Sequence, residues 1–159
     1  MISTGQKIPS ITIKTATPEG PADLDPTTLF AGKKVVIFSL PGAFTPTCSA
    51  KHLPGYVAKL PELKAQGVDL VACLSVNDAW VMKAWAEQHN ALGKITMLAD
   101  GQGLFSKALG IETEIPQMGL RSRRGLLVIE DNVVTSIEME APGKFEVSSA
   151  DACLIGLAK

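Results

Sequence analysis

Two near-continuous apolar runs, Lys34-Val35-Val36-Ile37-Phe38-Ser39-Leu40 and Val68 to Val76, flank a helix-like stretch. A strand that is apolar at successive positions has no face to offer water, and the setting that buries both faces is the interior of a parallel sheet with helices above and below it. Parallel neighbours need a crossover, so two such strands joined by a helix form a right-handed βαβ unit. This pattern demands three layers before anything else in the chain is considered.

The remaining segments fit that frame. Ile11-Thr12-Ile13-Lys14-Thr15 alternates at period two and Pro18-Glu19-Gly20-Pro21 turns the chain, which predicts an N-terminal hairpin. Asp25 before Pro26 caps a short helical turn running to Phe30 and ending at Gly32. Pro54-Gly55 and Pro61 interrupt the helix-like stretch from Cys48 to Gln66, so a break or kink is expected near Pro54. Asn77-Asp78 caps a further helix in which Val81, Met82, Trp85 and Ala86 share one face, a stripe that reads as core. Ile95 to Leu98 is a third strand and Leu104 to Leu109 a short helix. Gly125 to Glu130 and Val133 to Glu140 pair across a tight Asp131-Asn132 turn, and Ser148 or Ser149 caps a last helix to Ala158. The expected fold is α/β: one domain over residues 1–159, a three-layer α/β/α sandwich around a mixed central sheet with an N-terminal hairpin.

Charge narrows the partners. With 15 Lys+Arg against 16 Asp+Glu, the chain carries no field to hold nucleic acid or an anionic membrane surface. The first residues lack the basic flank and apolar stretch of a signal peptide, and three cysteines are an odd number for a disulfide framework, so reduced thiols and a cytoplasmic setting are expected.

The chemistry concentrates at Cys48. Pro41-Gly42-Ala43-Phe44-Thr45-Pro46-Thr47-Cys48 joins the first buried strand to the helix-like stretch and so places a cysteine at a helix N-terminus, where free backbone N–H groups and the helix dipole favour a thiolate. A free thiol, with a pKa of about 8.5, is roughly 3% thiolate at pH 7, and lowering that value to about 6 requires about 3.4 kcal/mol. A helix end supplies about 0.3–1 kcal/mol, up to about 2 when partly buried, so a cation must assist. Arg121, Arg123 and Arg124, just before the Gly125 strand, are the candidates; a solvated basic patch is the alternative for all three. Thr45, three residues before the cysteine, can offer a hydroxyl to sulfur or substrate or cap the helix, and Pro41 and Pro46 stiffen the loop around a shallow, donor-lined pocket.

Pro41-x-x-x-Thr45-x-x-Cys48, extended through Ser49 and His52-Leu53-Pro54-Gly55-Tyr56, resembles the active-site signature of peroxiredoxins, and in its longer form that of the type II (peroxiredoxin-five) class. The likeness continues through Val71 to Asp78 and Gly119 to Asp131. It implies a thioredoxin-like fold, a homodimer, no bound cofactor, and reduction of hydrogen peroxide and alkyl hydroperoxides with glutathione and glutaredoxin, or thioredoxin, as electron donor. By position it also implies that Cys48 is the peroxidatic cysteine, Thr45 and Pro41 its companions, and Arg124 the arginine that stabilises the thiolate.

Cys73 follows Cys48 by 25 positions, a spacing similar to plant-type members in which the second cysteine resolves the first. Its place in mid-strand argues instead for buried core, since a disulfide needs Cα atoms within about 7 Å. Cys153 faces the core from the last helix, with Ala150 and Leu157 a turn away, and reads as structural. No cysteine lies near Glu146 to Ser148, where some relatives carry a C-terminal resolving thiol, which favours an external reductant. A metal site assembled from Cys48, His52, Cys73 and His89 is disfavoured by the absence of ligand-spaced pairs, and Gly101-Gln102-Gly103 reads as a turn rather than a phosphate cradle. The competing functional class is a non-catalytic peroxide sensor or thiol-binding module acting through oxidised Cys48.

Overall fold

The computed structural model describes residues 1–159. Strand β3 (Lys34–Ser39) has five successive buried residues, and alternate side chains go to opposite faces of the sheet. Val36 and Phe38 pack into one cluster with Leu53, Tyr56, Met82, Trp85 and Cys153. Val35 and Ile37 pack into the other with Phe30, Phe105 and Leu109. This is the physical content of an uninterrupted apolar strand: each face needs its own helical layer.

Around β3 a seven-stranded sheet runs in the order β2-β1-β5-β4-β3-β8-β9. Its parallel centre comprises β3, β4 (Leu70–Ser75) and β5 (Thr96–Ala99). The flanks are antiparallel hairpins: β1 (Ile13–Thr17) with β2 (Gly20–Leu24), and β8 (Gly125–Glu130) with β9 (Val133–Met139). Helices α2 (Leu53–Ala65), α3 (Ala79–Gln88) and α5 (Ala150–Leu157) cover one face, and α1 (Pro26–Phe30) and α4 (Leu104–Leu109) the other. Caps fall where turn chemistry places them. Asp25 accepts from Thr27 N, Asp78 from Val81 N and Ser149 from Ala152 N, so Ser149 rather than Ser148 starts the last helix. Asp131 and Asn132 both adopt positive φ, 47° and 68°, as a two-residue turn between twisted strands requires.

Two features differ from the sequence expectation. The break anticipated near Pro54 is a change of winding: Cys48–His52 form a π-helical turn, closed by Leu53 N–H donating to the Cys48 carbonyl, and α2 continues from it. In regular α-helix the Pro54 ring would crowd the Ala50 carbonyl, and the wider turn lets the helix pass. Second, β6 (Glu112–Ile115) and β7 (Gly119–Ser122) form a separate two-stranded hairpin that the sequence pattern did not reveal. It holds Arg121 and leads directly into Arg124.

Candidate active site

The loop between β3 and the π-helical turn is held by short hydrogen bonds. Thr45 Oγ1 donates to the Gly42 carbonyl at 2.6 Å, and the Thr45 carbonyl accepts from Ser49 N at 2.9 Å. Ala43 N donates to Asn77 Oδ1 at 2.9 Å, an oxygen that also accepts from Ser75 Oγ at 2.6 Å. Arg121 clamps the loop from the other side: its Nη1 donates to the carbonyls of Pro41 and Val76, both at 3.3 Å, and its Nε to that of Met118 at 3.2 Å. A Cβ at Gly42 would lie 2.9 Å from Arg121 Nη1, so loop and guanidinium approach closely there and a larger residue would displace the end of the arginine side chain. The Thr45 hydroxyl spends its proton on its own loop and keeps its lone pairs free.

Cys48 opens the π-helical turn, and its side chain is fully buried. Arg124 Nη2 donates to its sulfur at 3.0 Å. The three arginines, which charge alone left equivalent and among which the resemblance pointed to Arg124, divide in the structure: Arg124 meets the sulfur, Arg121 clamps the loop, and Arg123 donates to the Glu140 carbonyl at 3.4 Å. Burial of the sulfur differs from the expectation of a thiol at the mouth of a shallow pocket. A cavity of about 410 Å³ lies beside it, with Pro41, Thr47, Arg123, Arg124 and Phe145 in its walls. Arg124 is both a wall of that cavity and the sulfur's neighbour, so it joins the two.

Arg124 is itself held. Its Nη1 lies 2.8 Å from His52 Nδ1, and His52 Nε2 lies 3.0 Å from the Ser148 carbonyl. A guanidinium only donates and a carbonyl only accepts, so the ring must be neutral with its proton on Nε2. Burial holds His52 down to about 3, and the charge of Arg124 acts in the same direction. The Phe145 ring covers the guanidinium at 5.8 Å, and His52 packs between Phe38, Tyr56 and Phe145. Ser148 O also accepts from Tyr56 Oη at 2.8 Å, and the Tyr56 ring stacks on Phe38 at 4.1 Å between centroids. Beneath this lies Glu140, 5% exposed, whose carboxylate accepts from Glu146 N, Val147 N, Ser148 N and Ser148 Oγ. Burial pushes Glu140 up, but these hydrogen bonds outweigh it and hold the carboxyl below its usual range.

His52 belongs to the run that carries the resemblance and was expected to pack or cap near the active-site loop, but its contact with Arg124 was not foreseen, and neither Glu140 nor Ser148 was read as part of the site. One signal was available for His52: it falls one turn after Cys48 on the same helix. None was available for Glu140, whose partners lie in an irregular segment.

The other two cysteines are core. Cys73 packs with Phe38 and Tyr56, and burial followed by the neighbouring Cys48 sulfur pushes its thiol well up. Cys153, 2% exposed, is pushed up to about 11 by burial. All three thiols are free. Cys48, His52, Cys73 and His89 do not gather into a ligand cluster.

The model of the Redoxin family matches residues 3–154. The chain is 49% identical over 131 residues to Peroxiredoxin-2B of Arabidopsis thaliana, a span that covers 81% of each. It is 42% identical over 163 residues to the chloroplastic Peroxiredoxin-2E of the same plant, 98% of this chain and 69% of the relative. Among solved structures, reduced Prx3 of Vibrio vulnificus in complex with hydrogen peroxide superposes with a TM-score of 0.94 at 52% identity, covering 99% of both chains. Peroxiredoxin 5 of Alvinella pompejana superposes with a TM-score of 0.87 at 33% identity, also over 99% of both. A thioredoxin-like sandwich that buries a cysteine under an arginine, with these relatives along nearly its whole length, places the chain in the peroxiredoxin family, type II class: it is a thiol-dependent peroxidase.

Proposed function

We propose that Cys48 is the peroxidatic residue and that hydrogen peroxide and alkyl hydroperoxides enter through the Arg124-walled cavity. The observation that carries this reading is the Arg124 Nη2 to Cys48 Sγ hydrogen bond of 3.0 Å at the first turn of a helix. The Cys48 thiolate attacks one peroxide oxygen, forming an S–O bond as the O–O bond breaks. The sulfur loses two electrons to the peroxide, and the leaving hydroxide or alkoxide takes a proton to become water or alcohol. The Cys48 backbone N–H and Arg124 are donors for the developing oxygen charge, and Thr45 Oγ1 offers acceptor lone pairs to the substrate's proton.

The sulfenic acid then meets an external thiol, glutathione with glutaredoxin or a thioredoxin, which forms a mixed disulfide and releases water. A second thiol frees Cys48. Cys73 is the alternative resolving thiol, and its burial and raised pKa favour the external route. The same proposal carries the homodimer and the cytoplasmic setting that the sequence led us to expect.

Turnover tests the reading. Hydrogen peroxide with glutathione, glutaredoxin and an NADPH-linked reductase should give sustained consumption, abolished by Cys48→Ser. Sustained turnover in Cys48→Ser would overturn the assignment. A single stoichiometric oxidation of the parent chain with every donor would favour the sensor alternative.

A further inference from the structure

We infer that Glu140 is a positioning residue for the peroxide step, acting through Ser148, His52 and Arg124 on the Cys48 sulfur. The inference rests on the reading of Cys48 and Arg124 given above.

The chain of contacts runs outward from the sulfur. Arg124 has to present one guanidinium nitrogen to Sγ, and a long side chain has many rotamers in which it does not. Its second terminal nitrogen is tied to His52 Nδ1 at 2.8 Å, which leaves Nη2 aimed at the sulfur. That tie exists only in the tautomer with the proton on Nε2, and the Ser148 carbonyl, which accepts that proton at 3.0 Å, fixes the direction in which the ring points. Ser148 lies in the irregular stretch between β9 and α5, with no ladder or helix of its own to hold it.

What holds it is Glu140. One carboxylate oxygen, Oε2, accepts from Val147 N at 2.9 Å, Ser148 N at 2.8 Å and Ser148 Oγ at 2.7 Å, and both oxygens accept from Glu146 N at 2.9 Å. The Glu140 main chain is pinned from the other side, its N–H donating to the Arg124 carbonyl at 2.9 Å. Glu140 therefore spans both ends of the chain of contacts: it fixes the backbone of the arginine and the carbonyl that orients the histidine beneath it. A carboxylate suits this place because it is acceptor-only; each neighbour is an N–H or O–H. An amide would set a donor against Glu146 N–H or against the Val147 and Ser148 donors and displace the turn.

The test is a double-mutant cycle on the second-order rate of Cys48 oxidation by hydrogen peroxide, measured in a single turnover without reductant. Glu140→Gln should slow oxidation by about 10- to 100-fold, the scale on which a displacement of about 1 Å acts. Ser148→Ala, which removes only the hydroxyl partner, should slow it by about two- to fivefold and serves if Glu140→Gln does not fold. In an Arg124→Ala background either change should have less than about a twofold further effect, because the residue through which it acts is gone. Nitrogen-15 spectra of the imidazoles supply a readout that loss of packing alone would not move: the hydrogen-bonded Nε2–H resonance of His52 in the parent should shift to that of an unpartnered ring N–H in Glu140→Gln. An unchanged rate in both single variants, an equal loss with and without Arg124, or an unaltered His52 Nε2–H resonance in Glu140→Gln would overturn the inference. If Arg124→Ala alone leaves the rate unchanged, the reading of Arg124 fails first, and the cycle shows which has failed.

Discussion

Acid should destabilise this protein through His52 before most of its carboxylates titrate. In the fold, burial and then the Arg124 charge hold the imidazole down to about 3, against an ordinary value of 6.5 that applies once the chain unfolds. The folded value is depressed, so between pH 6.5 and about 3 the unfolded chain binds a proton that the folded chain refuses. Stability from this group is complete above pH 6.5 and is lost as pH falls, at about 1.4 kcal/mol per pH unit. By pH 5 the loss is about 2 kcal/mol, and the full gap corresponds to about 5 kcal/mol, comparable to the whole stability of many domains at about 5–15 kcal/mol. Protonation inside the fold would also set an imidazolium N–H against Arg124 Nη1 and break the 2.8 Å contact. The assay is denaturant unfolding of the reduced protein at half-unit steps from pH 7.5 to 4.5, beside His52→Gln. Glutamine can offer an oxygen to Arg124 and an N–H to Ser148 but does not titrate. The parent should lose about 2 kcal/mol more than His52→Gln between pH 7.5 and 5. Parallel stability curves would refute the argument and mean that His52 is protonated, or exposed, in the native state.

Other changes separate the roles of neighbouring groups. Arg124→Ala removes a charge-assisted hydrogen bond of about 1.5–3 kcal/mol and should slow peroxide oxidation of Cys48 by about 10- to 150-fold; Arg121→Ala, which releases the carbonyls of Pro41, Val76 and Met118, should mainly lower Tm, and the opposite order of effects would exchange the two residues. Cys73→Ser should leave glutathione-supported turnover within about twofold of the parent, whereas total loss would make Cys73 the resolving thiol. Gly125→Ala would drive a methyl group into the Met139 side chain, 3.0 Å from the Glu138 carbonyl, and should cost about 1–3 kcal/mol in chemical denaturation; an unchanged midpoint would show that β9 yields there.

The parts of this molecule visible in its sequence are those whose cause is local. The apolar runs of β3 and β4 declare burial on both faces, Asp25, Asp78 and Ser149 sit where a helix needs an acceptor, and Asp131-Asn132 supplies the left-handed backbone of a tight turn. Cys48 was legible for the same reason: a strand, a stiff loop and a helix start are contiguous in the chain. The β6–β7 hairpin was not, because Glu112–Ile115 alternates exposed and half-buried residues and lies apart from the main sheet, with too little apolar contrast to register as strand.

The environment of the sulfur was hidden for a deeper reason. Arg124 and Cys48 are 76 residues apart, His52 and Ser148 96, and neither pair leaves a local periodicity. Three arginines within four positions were equivalent as charges, and the register of β8 against β3 decided among them. Gly125 pairs with Ser39, two residues before the Pro41 loop, which sets Arg124 opposite that loop and leaves Arg121 and Arg123 to main-chain carbonyls. The residue that reacts is thus announced by its own segment, and the residues that aim its partner are assembled by the sheet.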